Sequence, residues 1–140
     1  MDFFIREITF GDYQAAYELW QNTEGLGLSS ADEKKELELF LGRNPHLSFI
    51  AVDGEKLVGT VLCGHDGRRG FMYHLAVEQS YRKKGIGRKL VEKGLEGLKL
   101  AGIKKCHIMV LSDNPNGLNF WKQIGWQRRD NLTLMSRSLD

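Results

Sequence analysis

The residues best placed to do chemistry lie in Tyr81-Arg82-Lys83-Lys84-Gly85-Ile86-Gly87-Arg88, between the end of an apolar strand-like run at Val77 and the start of a helical pattern near Gly85. A helix N-terminus leaves backbone N–H groups unpaired, and its macrodipole puts partial positive charge there. Glycines let the backbone approach a ligand without an intervening Cβ. Arg82, Lys83, Lys84, Arg88 and Lys89 add full charges within eight positions. The guest that such a junction suits is a phosphate or pyrophosphate. Two common phosphate motifs do not fit. A dinucleotide fingerprint needs a third glycine where Leu90 stands, and a P-loop needs Gly-Lys-Ser/Thr, which is absent.

The elements around this loop follow from periodicity. Phe3 to Ile8 alternates as a strand. Thr9 reads as an N-cap, with Asp12 in the capping-box position, for a helix from Phe10 to about Gln21. A glycine-broken loop, Glu24 to Ser30, leads to a second helix from about Asp32 to Leu41. Leu47 to Val52 and Leu57 to Cys63 are strands joined through Asp53-Gly54, a hairpin turn signal. The turn Asp66 to Gly70 then leads into a strand from Phe71 to Val77. Ile86, Leu90, Gly94, Leu98 and Ala101 share one face of a long helix that stops at Gly102. Lys105 to Leu111 is a further strand, Asn116 to Gln123 a short helix, and Trp126 to Leu139 supplies one or two last strands. The order is βααβββαβαβ(β): an α/β (α+β) chain with a mixed sheet and helices on both faces.

At 140 residues, 41% hydrophobic and 27% charged, the chain reads as one domain spanning 1–140. It carries no apolar run of membrane-spanning length and no signal-peptide pattern, so a cytoplasmic protein is expected, with no membrane partner. The net charge of +2 is too small to imply a polyanion, and no aromatic residues interleave the basic cluster. A nucleic-acid partner is therefore not expected. Cys63 and Cys106 sit in apolar strand stretches and read as buried thiols rather than ligands or nucleophiles. No metal site is expected.

The segment from Tyr73 to Leu90 closely resembles the acyl-CoA-binding motif of the GNAT superfamily of N-acetyltransferases: an apolar strand, a Val, a short turn, then Arg-x-x-Gly-x-Gly. Asn114-Pro115-Asn116-Gly117-Leu118-Asn119-Phe120-Trp121 with Gly125-Trp126 resembles a second signature of that family, in the right order and at the right separation. The resemblance implies a mostly antiparallel central sheet of six to seven strands flanked by four helices. It implies acetyl-CoA as co-substrate, and transfer of its acetyl group to a primary amine of a small molecule, peptide or protein by direct attack in a ternary complex. The alternative is a catalytically degenerate module that senses acyl-CoA. The acceptor amine is unspecified, and monomer and homodimer both remain open.

Roles follow by position. Backbone N–H groups of Arg82, Lys83, Lys84, Gly85, Ile86 and Gly87, with Arg88 close by, would hold the pyrophosphate. The main chain of Leu75, Ala76 and Val77 would pair with the pantetheine arm, and an N–H there would polarise the thioester carbonyl. Asn114 would touch the cofactor, and Trp121 would lie near the sulfur where relatives often have a tyrosine acid. An indole N–H donates a hydrogen bond but does not release its proton at neutral pH. Strand alternation puts Phe71, Tyr73, Leu75 and Val77 on one face. Tyr73 is then the polar group expected beside the thioester, with Glu24 as the rival base, and His74 should point to the opposite face as a packing residue.

Overall fold

The N-terminal alternation forms β1 (Phe4–Glu7) in the computed structural model, which describes residues 2–139. The chain divides into two units, Met1–Met109 and Val110–Asp140. In the first unit a 3-10 turn (Phe10–Asp12) precedes helix α1 (Tyr13–Gln21). Thr9 N–H donates to Asp12 Oδ2 at 2.7 Å, the interaction that the Thr9/Asp12 spacing predicts. A second 3-10 turn (Ser30–Asp32) opens onto helix α2 (Lys34–Arg43). Strands β2 (Phe49–Asp53), β3 (Lys56–His65) and β4 (Gly70–Val77) follow, then helix α3 (Ile86–Leu100) and strand β5 (Cys106–Ile108).

The sheet has the order β1-β2-β3-β4-β5. Neighbours are antiparallel except β4 and β5, which run parallel because α3 carries the chain back between them. One face of the sheet packs on α1 and α2 through Trp20, Leu37, Ile50, Val52, Leu62 and Ala76. On the other face α3 buries Ile86, Leu90, Val91, Gly94 and Leu98. Ala101, expected on the same stripe, is exposed, since the helix ends at Leu100. Gly102 at φ +83 closes α3 as anticipated. Its N–H reaches Lys99 O, while Ile103 N–H reaches Leu98 O at 3.0 Å, the paired bonds of a Schellman ending.

The second unit contains helix α4 (Pro115–Gln123). The described residues beyond it form no strand, so the expected six to seven strands become five. The error has a plain cause. Leu132 and Leu134 alternate as strand residues do, yet they are 62% and 72% exposed. Alternation marks a strand only where a neighbour accepts its backbone hydrogen bonds and a core receives its apolar face. No described helix is long and apolar enough to cross a membrane.

Candidate active site

The chain leaves β4 at Val77, and Glu78 N–H donates to Val58 O at 2.9 Å, still on the β3 side. A 3-10 turn, Gln79–Tyr81, follows. Lys83 then adopts φ +64 and Gly85 φ +84, with α3 beginning one residue later. A left-handed residue directly before a right-handed one, as Gly85 stands before Ile86, turns successive N–H groups into a shared concavity, a backbone nest of the kind that binds anions. Among the described residues, none of the N–H groups from Lys83 through Arg88 has a protein acceptor. The loop thus offers a row of backbone donors at the positive end of the α3 dipole, the arrangement that suits an anion.

The basic residues do not all act alike. Arg82 Nε donates to Val77 O at 2.9 Å, so this guanidinium braces the end of β4. Arg88 Nε pairs with Glu92 at 3.2 Å along the exposed face of α3. Lys83 and Lys84 have no carboxylate within pairing distance among the described residues.

The loop is held from behind by the β2–β3 hairpin. Tyr81 donates its hydroxyl to Asp53 Oδ2 at 2.7 Å, and that acceptor raises the pKa of the phenol. Lys56 pairs with Glu78 at 3.1 Å and lies over the Tyr81 ring at 5.5 Å. Close packing fixes the start of α3. A Cβ on Gly59 would stand 3.1 Å from Leu90 and 3.2 Å from Ile86, so glycine there lets the helix sit against β3.

β4 carries the second feature. Thr60 pairs with Ala76 and Leu62 with Tyr73, which leaves one extra residue on β4. This is a β-bulge, with His74 in the left-handed region at φ +50. β5 pairs only with Gly70, Phe71 and Met72. Beyond Met72 no other described strand pairs with that side of β4. Glu78 N–H faces β3, so by strand alternation the polar groups of Leu75 and Val77 face the open edge. A nest and a strand edge, open except where Arg82 Nε occupies Val77 O, thus follow one another along the chain.

The bulge also corrects an expectation. His74 does not turn to the face opposite Tyr73. Tyr73 meets Phe40 of α2 edge-on at 6.1 Å, and His74 packs against Trp20 of α1 at 4.7 Å, so both side chains lie on the α1/α2 side. Alternation assumes an unbroken ladder, and one inserted residue resets it. His74 Nε2 lies 2.6 Å from Asp32 Oδ1. Asp32, expected only as the first residue of a helix, is buried instead, and its Oδ2 accepts Ser29 N–H at 3.0 Å. The sequence signal that was available is an acid three residues after Ser29, a capping-box spacing on which His74 converges from 42 positions away.

The two expected catalytic residues differ in setting. Tyr73 is 37% exposed, and partial burial raises its hydroxyl pKa. Glu24 stands exposed on the loop after α1, without a hydrogen bond or ion pair to another described residue. Asn44 Oδ1 accepts His65 N–H at 3.0 Å, and Asp66 Oδ1 accepts the N–H groups of Arg68 and Arg69. Both contacts are structural. Burial pushes the Cys63 thiol up to about 12 and the Cys106 thiol up to about 11, so neither is a thiolate nucleophile near neutrality.

In the second unit Asn114 caps α4, its Oδ1 accepting Gly117 N–H at 3.1 Å, with Pro115 next in the first turn. Trp121 stands edge-on to Phe120 at 5.4 Å and to Trp126 at 4.8 Å. Trp126 N–H closes on Trp121 O at 3.0 Å.

Known proteins resemble this chain in sequence and in fold. The family model described as the acetyltransferase (GNAT) family matches residues 13–126. An acetyltransferase of Pectobacterium atrosepticum is 29% identical over 136 residues, which are 97% of this chain and 96% of that protein. An acetyltransferase of Sodalis glossinidius is 27% identical over 135 residues, 96% and 94% of the two chains. Among solved structures, the PaiA N-acetyltransferase of Thermoplasma acidophilum, in complex with coenzyme A, superposes with a TM-score of 0.81 at 20% identity, covering 93% of this chain and 92% of its own. The NatC complex bound to Gag peptide and CoA gives 0.77 at 23% identity, covering 92% and 87%. At these identities the structural likeness is one of fold.

Proposed function

Because the chain belongs to the GNAT family of acetyltransferases, matched across residues 13–126, we propose that it moves the acetyl group of acetyl-CoA to a primary amine by direct attack in a ternary complex. The observation that carries this reading is the row of unpaired N–H groups from Lys83 through Arg88, next in the chain to the open edge of β4. The row offers donors for a pyrophosphate, and Lys83 and Lys84 offer charge. The edge at Leu75 and Val77 offers strand-like hydrogen bonds to an extended amide-bearing arm. The high thiol pKa values of Cys63 and Cys106 support direct attack over a covalent thioester on the protein.

Acetyl-CoA supplies the activated acetyl group. The chain's own residues bind and orient it: the loop holds charge, and the N–H of Val77 or Leu75 polarises the carbonyl. Tyr73, on the α1/α2 side of β4, is assigned to positioning or protonation at the reacting end, and Glu24 is the rival carboxylate. Asn114 and Trp121 enter through the resemblance of their segment. Trp121 cannot act as a proton donor, but a thiol with a pKa of about 8.5 leaves readily as thiolate.

Trp121 is also what favours a second reading, a module that binds acyl-CoA without turnover. Two measurements decide. Saturating CoA should raise the melting temperature by mass action on the native state. Thiol release from acetyl-CoA should then appear with members of a panel of polyamines, amino sugars and peptide N-termini. No thermal shift sinks both readings, and a shift without thiol release favours sensing.

A further inference from the structure

We propose that His74 is the general base that takes the amine proton, and that Asp32 is the positioning residue that fixes its working tautomer. This rests on the acetyl-transfer reading above.

An alkyl amine has a pKa near 10, judging by lysine at about 10.4, so something must remove its proton near neutrality. Imidazole is the side chain suited to that work at physiological pH. The tautomer follows from the partner. A carboxylate only accepts, and both oxygens of Asp32 are engaged: Oδ2 by Ser29 N–H at 3.0 Å and Oδ1 by His74 at 2.6 Å. In the neutral ring the proton then belongs on Nε2, donating to Oδ1, and Nδ1 carries the free lone pair. Nδ1 has no partner among the described residues. It is also not sealed off, since among them only Glu78 Oε2 is a buried side-chain polar atom lacking a partner.

The surroundings hold the ring in place. Trp20 packs against the imidazole at 4.7 Å, and Thr60 Oγ1 donates to His74 O at 2.8 Å while accepting Trp20 Nε1–H at 2.9 Å. These contacts hold the histidine in its left-handed backbone conformation, which L-residues rarely adopt. The bulge turns His74 to the same side as Tyr73, one residue before the main chain assigned to the acyl arm. In the step, the amine nitrogen bonds to the acetyl carbonyl carbon and the C–S bond breaks, its electron pair leaving on sulfur. The proton lost by nitrogen passes to His74 Nδ1 and from there to solvent.

The test has an arm that requires no acceptor. Long-range proton–nitrogen correlation spectra of imidazole-labelled protein, assigned with His74→Gln, should show neutral His74 protonated at Nε2 and bare at Nδ1. Asp32→Asn should mix the tautomers. A proton on Nδ1 in the wild type overturns the proposal. The second arm compares thiol release from acetyl-CoA driven by ethylamine and by hydroxylamine, whose lower basicity removes the need for a base. His74→Gln should slow the ethylamine reaction about 10²-fold and the hydroxylamine reaction less than about threefold. Equal losses on both, no loss on either, or a wild type that binds CoA and releases no thiol with either amine, all count against the base. CoA stabilisation of wild type and His74→Gln is measured alongside. Its absence from both would mean the failure of the acetyl-CoA reading itself, a distinct result.

Discussion

Tyr81 Oη lies 2.7 Å from Asp53 Oδ2, a contact that ties the anion loop before α3 to the turn of the β2–β3 hairpin. The loop is therefore held in place by the hairpin behind it. Preorganisation of this kind lowers the ordering cost of binding.

Removing the tether should be felt in binding. Tyr81→Phe should weaken CoA affinity roughly three- to tenfold, the scale of ordering one loop, with little change in melting temperature. Asp53→Asn should behave alike, and the double variant should be no worse than either single. Calorimetric titration checks this, and additive losses would show that the two residues act separately.

Gly85 tests the backbone directly. Its φ is +84 and a Cβ would meet nothing within 4 Å, so any penalty for a side chain is conformational. Gly85→Ala should cost about 1–2 kcal/mol in urea unfolding. Gly85→Asn should cost less, because asparagine tolerates the left-handed region. Equal costs would mean that space, and not φ, selects glycine.

The fully buried Trp20 donates to the fully buried Thr60. Trp20→Phe leaves Thr60 Oγ1 without its donor and should destabilise the fold by about 1–3 kcal/mol. Denaturant unfolding measures it. A loss below that range would mean that the site relaxes to find another donor.

Arg6 and Asp12 predict an acid limb. Arg6 donates through both terminal nitrogens to the two Asp12 oxygens at 2.8 Å, and this holds the Asp12 pKa below its ordinary value against the opposing effect of burial. A depressed folded pKa means that the unfolded chain takes up the proton first. The stabilisation is thus present above the unfolded value of about 3.9 and is lost as pH falls through the folded one. Melting temperature followed from pH 6 downward should fall less steeply in Asp12→Asn than in wild type below about pH 4. Parallel curves would assign the acid limb to other carboxylates.

Much of the architecture is readable from local pattern. The strand–turn–strand run from Leu47 to Val77, the helix between Gly85 and Gly102 and the basic glycine loop all announce themselves, because turns, caps and amphipathic faces are set by neighbours in the chain. The expected final strands fail where alternation alone was the guide, as at Leu132 and Leu134. The separate behaviour of Arg82, Arg88, Lys83 and Lys84 also escapes the sequence, since partners such as Val77 O and Glu92 are chosen in space.

Residue types and spacing in Tyr73 to Leu90 determine by themselves that a basic glycine loop opens a helix directly after a strand end. Only the tertiary structure decides which side chains look into the space next to it. The inserted residue on β4 turns His74 toward Trp20 and Asp32, and Asp32 lies 42 positions from it in the chain. A bulge is a mismatch between two paired strands, and neither strand carries it alone.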